Sequence, residues 1–313
     1  MERLVDNLKD VWAGWKDSQL TNHGMKQAEA LALSFSSTPF TAIYTSDLSR
    51  AHLTAKAIHA TQPKPPSSSR PSGSTLSGTR SVSFRTASHG PPAPTPLHTN
   101  DLLREQSFGV GEGKSYKVTR NKSMSLSQHF ARNIFPTLYG RQDSFPGGES
   151  KEDVCVRAKK FLEDVIMPCV WAEEHPDEEH SEEERSSDDS DVLPVAERKA
   201  KNEKKRAHIC IVSHGLFIPE LIVLMALMDD EYKSKTQEVR NNVRGMRNTD
   251  WTRVEFGFEK SSDPDATVQK SLRIKFTHVK AHPHLDKLQR QKGGISRVAY
   301  DPSQKDIRSF FGR

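Results

Sequence analysis

The sequence predicts an α/β fold, a sheet covered by helices on both faces, and three features of the chain predict it. Short β-branched, apolar runs alternate with longer stretches that carry apolar residues at helical spacing. The run at 208–213, HICIVS, is apolar throughout its middle, the mark of a strand buried on both faces. A strongly apolar stretch at 216–228 follows it directly; it is too short to span a bilayer and reads as a buried helix. Strands and helices in that alternation build a three-layer α/β/α sandwich.

In chain order, residues 21–35 form the first expected helix, with Ala28, Leu31 and Phe35 on a shared face. Residues 41–45, TAIYT, read as a strand, and a second helix starts near Leu48 and runs to about Ala60. Pro, Ser, Gly and Thr then dominate. Residues 62–99 offer too little apolar surface to offset the entropy of ordering them, so a disordered insert is expected there. A helix over 150–171 presents Val154, Ala158, Phe161, Val165 and Cys169 at helical spacing. A second low-complexity insert follows at 173–206, acidic first and then basic; its basic run reads as a solvated linker or, alternatively, a nuclear-import signal. Strands at 252–258 and 272–277 close a domain covering 1–290, and 291–313 form a tail.

Charge and cysteines narrow the function classes. The net charge of +5 conceals a divided chain, because residues 173–191 hold 11 acidic residues and one arginine, leaving +15 on the rest. A basic body suits anionic partners such as small phosphates, nucleic acid or an acidic protein face. Cys155, Cys169 and Cys210 stand far apart with no CxxC, which points to buried thiols in a reducing compartment rather than disulfides or zinc. The opening MERLVDNLKD has no apolar leader core, so an intracellular protein is expected, cytoplasmic or nuclear, with no membrane partner.

Four segments carry the chemistry. SDLSRAHLTA at 46–55 follows a strand and enters a helix; LREQSFG at 103–109, with Glu112 and Gly113, follows the first insert; PGGES at 146–150 opens the long helix; VSHG at 212–215 ends the buried strand. They place Arg50 and His214 at strand ends beside helix N-termini, where open α/β sheets gather anions. Glu105 adds a carboxylate able to protonate a leaving alcohol. Singly, each has a bland explanation: Arg50 a surface side chain, His214 a structural histidine, Glu105 a solvated loop residue, PGGES a turn and helix cap. Their joint occurrence in this order argues against all four.

The combination resembles the histidine phosphatases of the phosphoglycerate-mutase-like superfamily. In that family an RHG strand bears the nucleophile, and SxLxRAxxTA, LxExxFGxxEG, PGGES and VSHG segments follow. FTAIYTSDLSRAHLTA, LREQSFGVGEGKS, Asn248-Thr249-Asp250 and HPHLDKL look nearest to the stand-alone fructose-2,6-bisphosphate phosphatases, the TIGAR type. The resemblance implies that Arg50 holds the phosphoryl oxygens, Glu105 is the general acid/base, His214 stabilises the phosphoryl group and Asn7 helps line the pocket. It also implies a small phosphorylated substrate, a phosphohistidine intermediate, and neither metal nor other cofactor.

Aligning Asn7 with the family asparagine puts Met1 where the nucleophilic histidine belongs, and neither His23 nor His52 reads as its replacement. The family strand that carries it is central to the sheet. Some five buried strand residues are worth on the order of 10 kcal/mol, comparable with the net stability of a domain, ~5–15 kcal/mol. The expectation is therefore a sandwich lacking its first central strand: a chain truncated at its amino end, poorly folded and inactive as written, from a metal-independent phosphomonoester phosphatase for sugar bisphosphates. The alternatives are a phosphoglycerate mutase and an inactive interaction protein.

The tail holds a further pattern. Gln304, Ile307, Phe310 and Phe311 fit QxxIxxFF, which resembles the motif by which many proteins dock on the replication sliding clamp. One helical turn would gather the three apolar side chains into a plug and leave Gln304 for a polar pocket. The alternative is that they anchor the tail on its own domain.

Overall fold

The computed structural model describes residues 10–63, 94–174, 207–259, 271–289, 294–301 and 303. The expectations for Asn7, for most of both inserts and for Gln304, Ile307, Phe310 and Phe311 concern residues outside this set.

Local chemistry sets the helix starts. Thr21 is extended and its hydroxyl accepts the Gly24 N–H, opening α1 (Asn22–Ser34). Strand β1 (Ala42–Thr45) leads into α2 (Ser49–Ala60). Leu48 cannot cap α2, and Asp17 does so from a distant loop, accepting from the Ser49 N–H at 2.9 Å and the Ser49 hydroxyl at 2.7 Å. Helix α3 (Leu126–Ala131) precedes α4 (Lys151–Phe161), where Ser150 and Asp153 form a reciprocal capping box. A π-helical turn at Leu162–Ile166 carries α4 into α5 (Met167–Glu174). Strand β3 (Ile209–Val212) is followed by α6 (Phe217–Ala226), α7 (Asp230–Lys233) and α8 (Thr236–Val243). Strands β4 (Trp251–Phe258) and β5 (Leu272–Ala281) come last.

The first insert is shorter than composition suggests. Leu97–Thr99 forms β2, parallel to β1 with Leu97 opposite Ile43. Gln62 is buried, and its Oε1 accepts the Phe40 N–H at 3.0 Å, while the Thr95 hydroxyl donates to the Phe40 carbonyl at 3.0 Å. Composition averages over a window and does not register the pairing partner that β1 supplies. The domain also runs past 290, because Tyr300 donates to the Leu20 carbonyl at 2.7 Å and Ala299 bridges to Thr21 at the head of α1.

One parallel sheet has the order β2-β1-β3, and its side chains alternate between two helical layers. Ile43, Cys210 and Val212 pack with Leu31, Ala55 and Ile58 of α1 and α2. Tyr44, Ile209 and Ile211 pack with Phe161, Phe217 and Leu221 of the α4–α6 layer. This is the three-layer α/β/α sandwich. Strands β4 and β5 form a separate antiparallel ribbon, and among the described residues no strand joins β3 to β4.

That break corrects the expectation for 208–213. All four residues of β3 are only half-buried, despite their apolar character. One edge of β3 meets β1, and beyond the other lies a cavity of about 2490 Å³ whose far wall is β4. Among the described residues no helix is long and apolar enough to cross a membrane.

Candidate active site

The site lies at the carboxyl ends of β1 and β3, beside the amino termini of α2 and α6. Arg50, in the first turn of α2, is 1% exposed. Its Nη2 donates to the Gly14 carbonyl at 2.7 Å, Nη1 to the Lys16 carbonyl at 3.2 Å, and Nε to His214 Nδ1 at 3.2 Å. No carboxylate of the described residues lies within ion-pair distance of it. A buried cation without an anion costs several kcal/mol, and carbonyl oxygens offset only part of that.

His214 follows β3 and is likewise buried. Because Nδ1 accepts from Arg50, the ring proton of the neutral imidazole sits on Nε2, which has no hydrogen-bond partner among the described residues. Burial, then the Arg50 and Arg157 charges, push its pKa well below the usual histidine value. The site thus presents a fixed guanidinium and a neutral N–H donor to the same cavity.

Glu105 reaches that cavity from the loop after β2. Its Oε1 accepts the Leu216 N–H at 3.2 Å, at the entrance to α6, and the Gln106 N–H at 3.0 Å. Its backbone is braced twice. Trp15 Nε1 donates to the Glu105 carbonyl at 2.7 Å, and Arg157 donates to the carbonyls of Leu102, Arg104 and Glu105 while pairing with Glu149. Glu149 in turn accepts the Ser107 N–H at 2.9 Å.

The loops interlock through glycine. Gly109 has φ +48°, and a Cβ there would stand 2.3 Å from the Pro146 carbonyl oxygen. Only glycine lets the loop holding Glu105 lie directly against the PGGES turn. Glu112 ties down the remaining segment, accepting the N–H groups of Trp15 and Lys16 at 2.8 Å each.

The structure therefore brings Arg50, Glu105 and His214 together from three distant segments. A family profile described as histidine phosphatase superfamily (branch 1) matches residues 3–70, which include the Arg50 segment. The fructose-2,6-bisphosphatase TIGAR B of Danio rerio is 28% identical over 202 residues, 64% of this chain and 62% of that protein. The amino-terminal part of this chain, through the Arg50 segment, is thus similar to the histidine phosphatase superfamily. A 2,3-bisphosphoglycerate-dependent phosphoglycerate mutase of Gloeobacter violaceus is 25% identical over 52% of this chain and 58% of its own length. The chain thus spans about three fifths of these curated relatives. Among solved structures, a protein titled mycobacterial hydrolase 1 has a TM-score of 0.53 at 17% identity, covering 90% of this chain and 95% of that one. The vanadate complex of a mycobacterial glucosyl-3-phosphoglycerate phosphatase gives 0.50 at 17% identity, covering 90% and 95%. Both likenesses concern the fold.

The structural tasks of three residues of the site do not show in the sequence. Arg157 is legible in retrospect as a cation on the apolar stripe of α4, between Val154, Ala158 and Phe161. Glu112 belongs to a motif whose physical task, holding residues 15 and 16, depends on a contact nearly a hundred positions away. Nothing local to Trp15 announces its bond to Glu105.

Proposed function

We propose that the site binds phosphomonoesters and belongs to a metal-independent phosphatase acting on a sugar-bisphosphate-type substrate. One observation carries the reading: the buried Arg50 guanidinium, without a carboxylate partner among the described residues, points with the neutral His214 N–H into a cavity that Glu105 also lines. A phosphoryl group would supply the missing anion, accept from both donors, and lose its alcohol to a proton from Glu105. The likeness to TIGAR B supports a sugar bisphosphate, and Arg244 and Arg247 on the cavity wall suit a second phosphate.

A phosphohistidine route needs a nucleophilic imidazole. Of the described histidines, His208 and His214 line the cavity. His208 lies at the opposite end of β3, and His214 has committed Nδ1 to Arg50. That observation favours a second reading, in which this site binds phosphate without turning it over.

One pair of measurements separates the readings. Isothermal titration of the 313-residue chain with orthovanadate is expected to show binding that Arg50→Ala weakens about 30-fold or more, near 2 kcal/mol. A chain extended at its amino end by a strand ending in Arg-His-Gly is expected to hydrolyse fructose-2,6-bisphosphate, and Glu105→Gln to slow it ~10²–10⁴-fold with vanadate binding retained. A folded extended chain that stays inert would leave only the binding reading. Vanadate affinity unchanged by Arg50→Ala would remove both.

A further inference from the structure

The phosphate donors of the site are covered. Arg50 is 1% exposed and His214 4%, and the His214 Nε2 atom is itself buried. A phosphoryl group arriving from solvent meets neither until some part of the chain moves. The part in contact with Arg50 is a short strap, residues 13–16. Each terminal nitrogen of the guanidinium gives one N–H to it, Nη2 to the Gly14 carbonyl at 2.7 Å and Nη1 to the Lys16 carbonyl at 3.2 Å. The two carbonyls thereby act as phosphoryl oxygens would, offering lone pairs to the paired donors of the guanidinium fork.

The strap is held firmly at its ends and lightly between them. Before it, the Trp12 ring packs against Phe108 and Phe145, with centroids 4.4 and 5.9 Å away, and the Trp12 carbonyl accepts the Gly113 N–H at 2.8 Å. After it, Asp17 caps α2 through Ser49. Between these anchors the contacts lie at the surface. The Glu112 carboxylate accepts the N–H groups of Trp15 and Lys16, one on each oxygen, and Trp15 Nε1 donates to the Glu105 carbonyl. Trp15 is 39% exposed, so water can replace these bonds when they break. The Lys16 carbonyl also accepts the Ser18 N–H at 2.8 Å and keeps that partner if Arg50 is lost. Gly14 has φ +53°, and a Cβ there would stand 2.3 Å from Glu112 Oε1, so the strap lies against that carboxylate only with glycine at this position.

We propose that residues 13–16 form a gate over the phosphate pocket, closed in this structure, which a phosphoryl group displaces, with the Glu112 carboxylate as its latch. This rests on the phosphate reading of the site and adds a conformational step to it. In the closed state the strap carbonyls solvate the Arg50 charge. In the open state phosphoryl oxygens replace them, and the amides of Trp15 and Lys16 turn to water. Apparent affinity is then the intrinsic affinity scaled by the fraction of open chains. Weakening the latch raises that fraction and tightens phosphate binding, whereas damage to a rigid pocket wall loosens it. Glu112 is thus a positioning residue that acts through the strap.

The test titrates the full 313-residue chain and two variants of unchanged charge with inorganic phosphate. Glu112→Asp shortens the latch by one methylene, and Gly14→Ala pushes the carboxylate aside. Both are expected to bind phosphate about tenfold more tightly than the parent chain. Amide exchange at Trp15 and Lys16 is expected to quicken about tenfold or more when phosphate saturates the parent, with Ser49 and Gly113, held by the anchors, unchanged. Ligands ordinarily slow exchange around them, so the sign separates a gate from a brace. Slowed or unchanged exchange at Trp15 and Lys16, or variants that bind no more tightly, overturns the gate; if Arg50→Ala still weakens that binding, the phosphate reading stands. Phosphate bound by a variant and not by the parent supports the gate. No binding by any of the three overturns both. If one variant is unfolded by circular dichroism, the other and the exchange rates of the parent decide.

Discussion

Ser213 and His214 are 8% and 4% exposed, whereas Ile209, Cys210, Ile211 and Val212, immediately before them, are only half-buried. Polarity alone would order them the other way. The difference teaches that neighbours set burial more than side-chain character does. At the carboxyl end of β3, three parts of the chain converge: Ser213 donates to the Leu103 carbonyl, Arg50 reaches His214, and Glu105 meets the start of α6. Along the strand itself, one edge is paired and the other opens on a cavity.

The braced end should respond most strongly to a single added atom. Gly109→Ala is expected to cost about 3 kcal/mol or more, since strain at φ +48° adds to a Cβ 2.3 Å from the Pro146 carbonyl oxygen. Gly147→Ala also has positive φ, +71°, but meets nothing within 4 Å, so about 1 kcal/mol is expected. Urea unfolding of the two variants measures the contrast, and equal losses would show that the loops are not interlocked.

The open flank is probed by a matched pair of isoleucines. Ile43 in β1 is 0% exposed and has strands on both sides, so Ile43→Ala is expected to cost ~2–5 kcal/mol. Ile211→Ala, one strand over but half-buried, should cost about half as much in the same denaturation experiment. A loss at Ile211 as large as that at Ile43 would mean that β3 is covered in solution and would break the comparison.

The smallest expected effect is the pH dependence of the buried end. The pKa of His214 in the fold lies well below its ordinary 6.5, so the unfolded chain binds the extra proton first. Stability is therefore full above about pH 6.5 and declines as pH falls toward the folded value. His52, His208 and His284 are shifted in the same direction by burial, so His214→Gln should reduce the slope without abolishing it. Denaturation midpoints at pH 7 and pH 5.5 test this; an unchanged slope would mean that His214 gains a proton without penalty.

Much of the site was legible because it sits in segments whose local signals agree. Arg50 opens a helix after a β-branched strand, His214 ends an apolar one, and Ser150 begins α4 with a capping box readable from residues 150–153. What failed to show in the sequence depends on distant partners. Composition placed 97–99 in an insert, yet those residues add to the edge of β1. The partial burial of β3 follows from its having a strand partner on one edge alone among the described residues, and the task of Arg157 appears only when three carbonyls of another loop surround it. Ala299 and Tyr300, read as tail, gain their place from Thr21 and Leu20.

Phe40 ties the chain at two points on one backbone unit: Gln62 accepts its N–H and Thr95 donates to its carbonyl. The polypeptide thus departs and returns through a single closed base. Loop-closure entropy changes by only about 0.6 kcal/mol for each doubling of length. The gene can accordingly lengthen, shorten or exchange this stretch with little effect on folding, which makes it the natural place for the protein to acquire, or an experimenter to graft, a new recognition sequence.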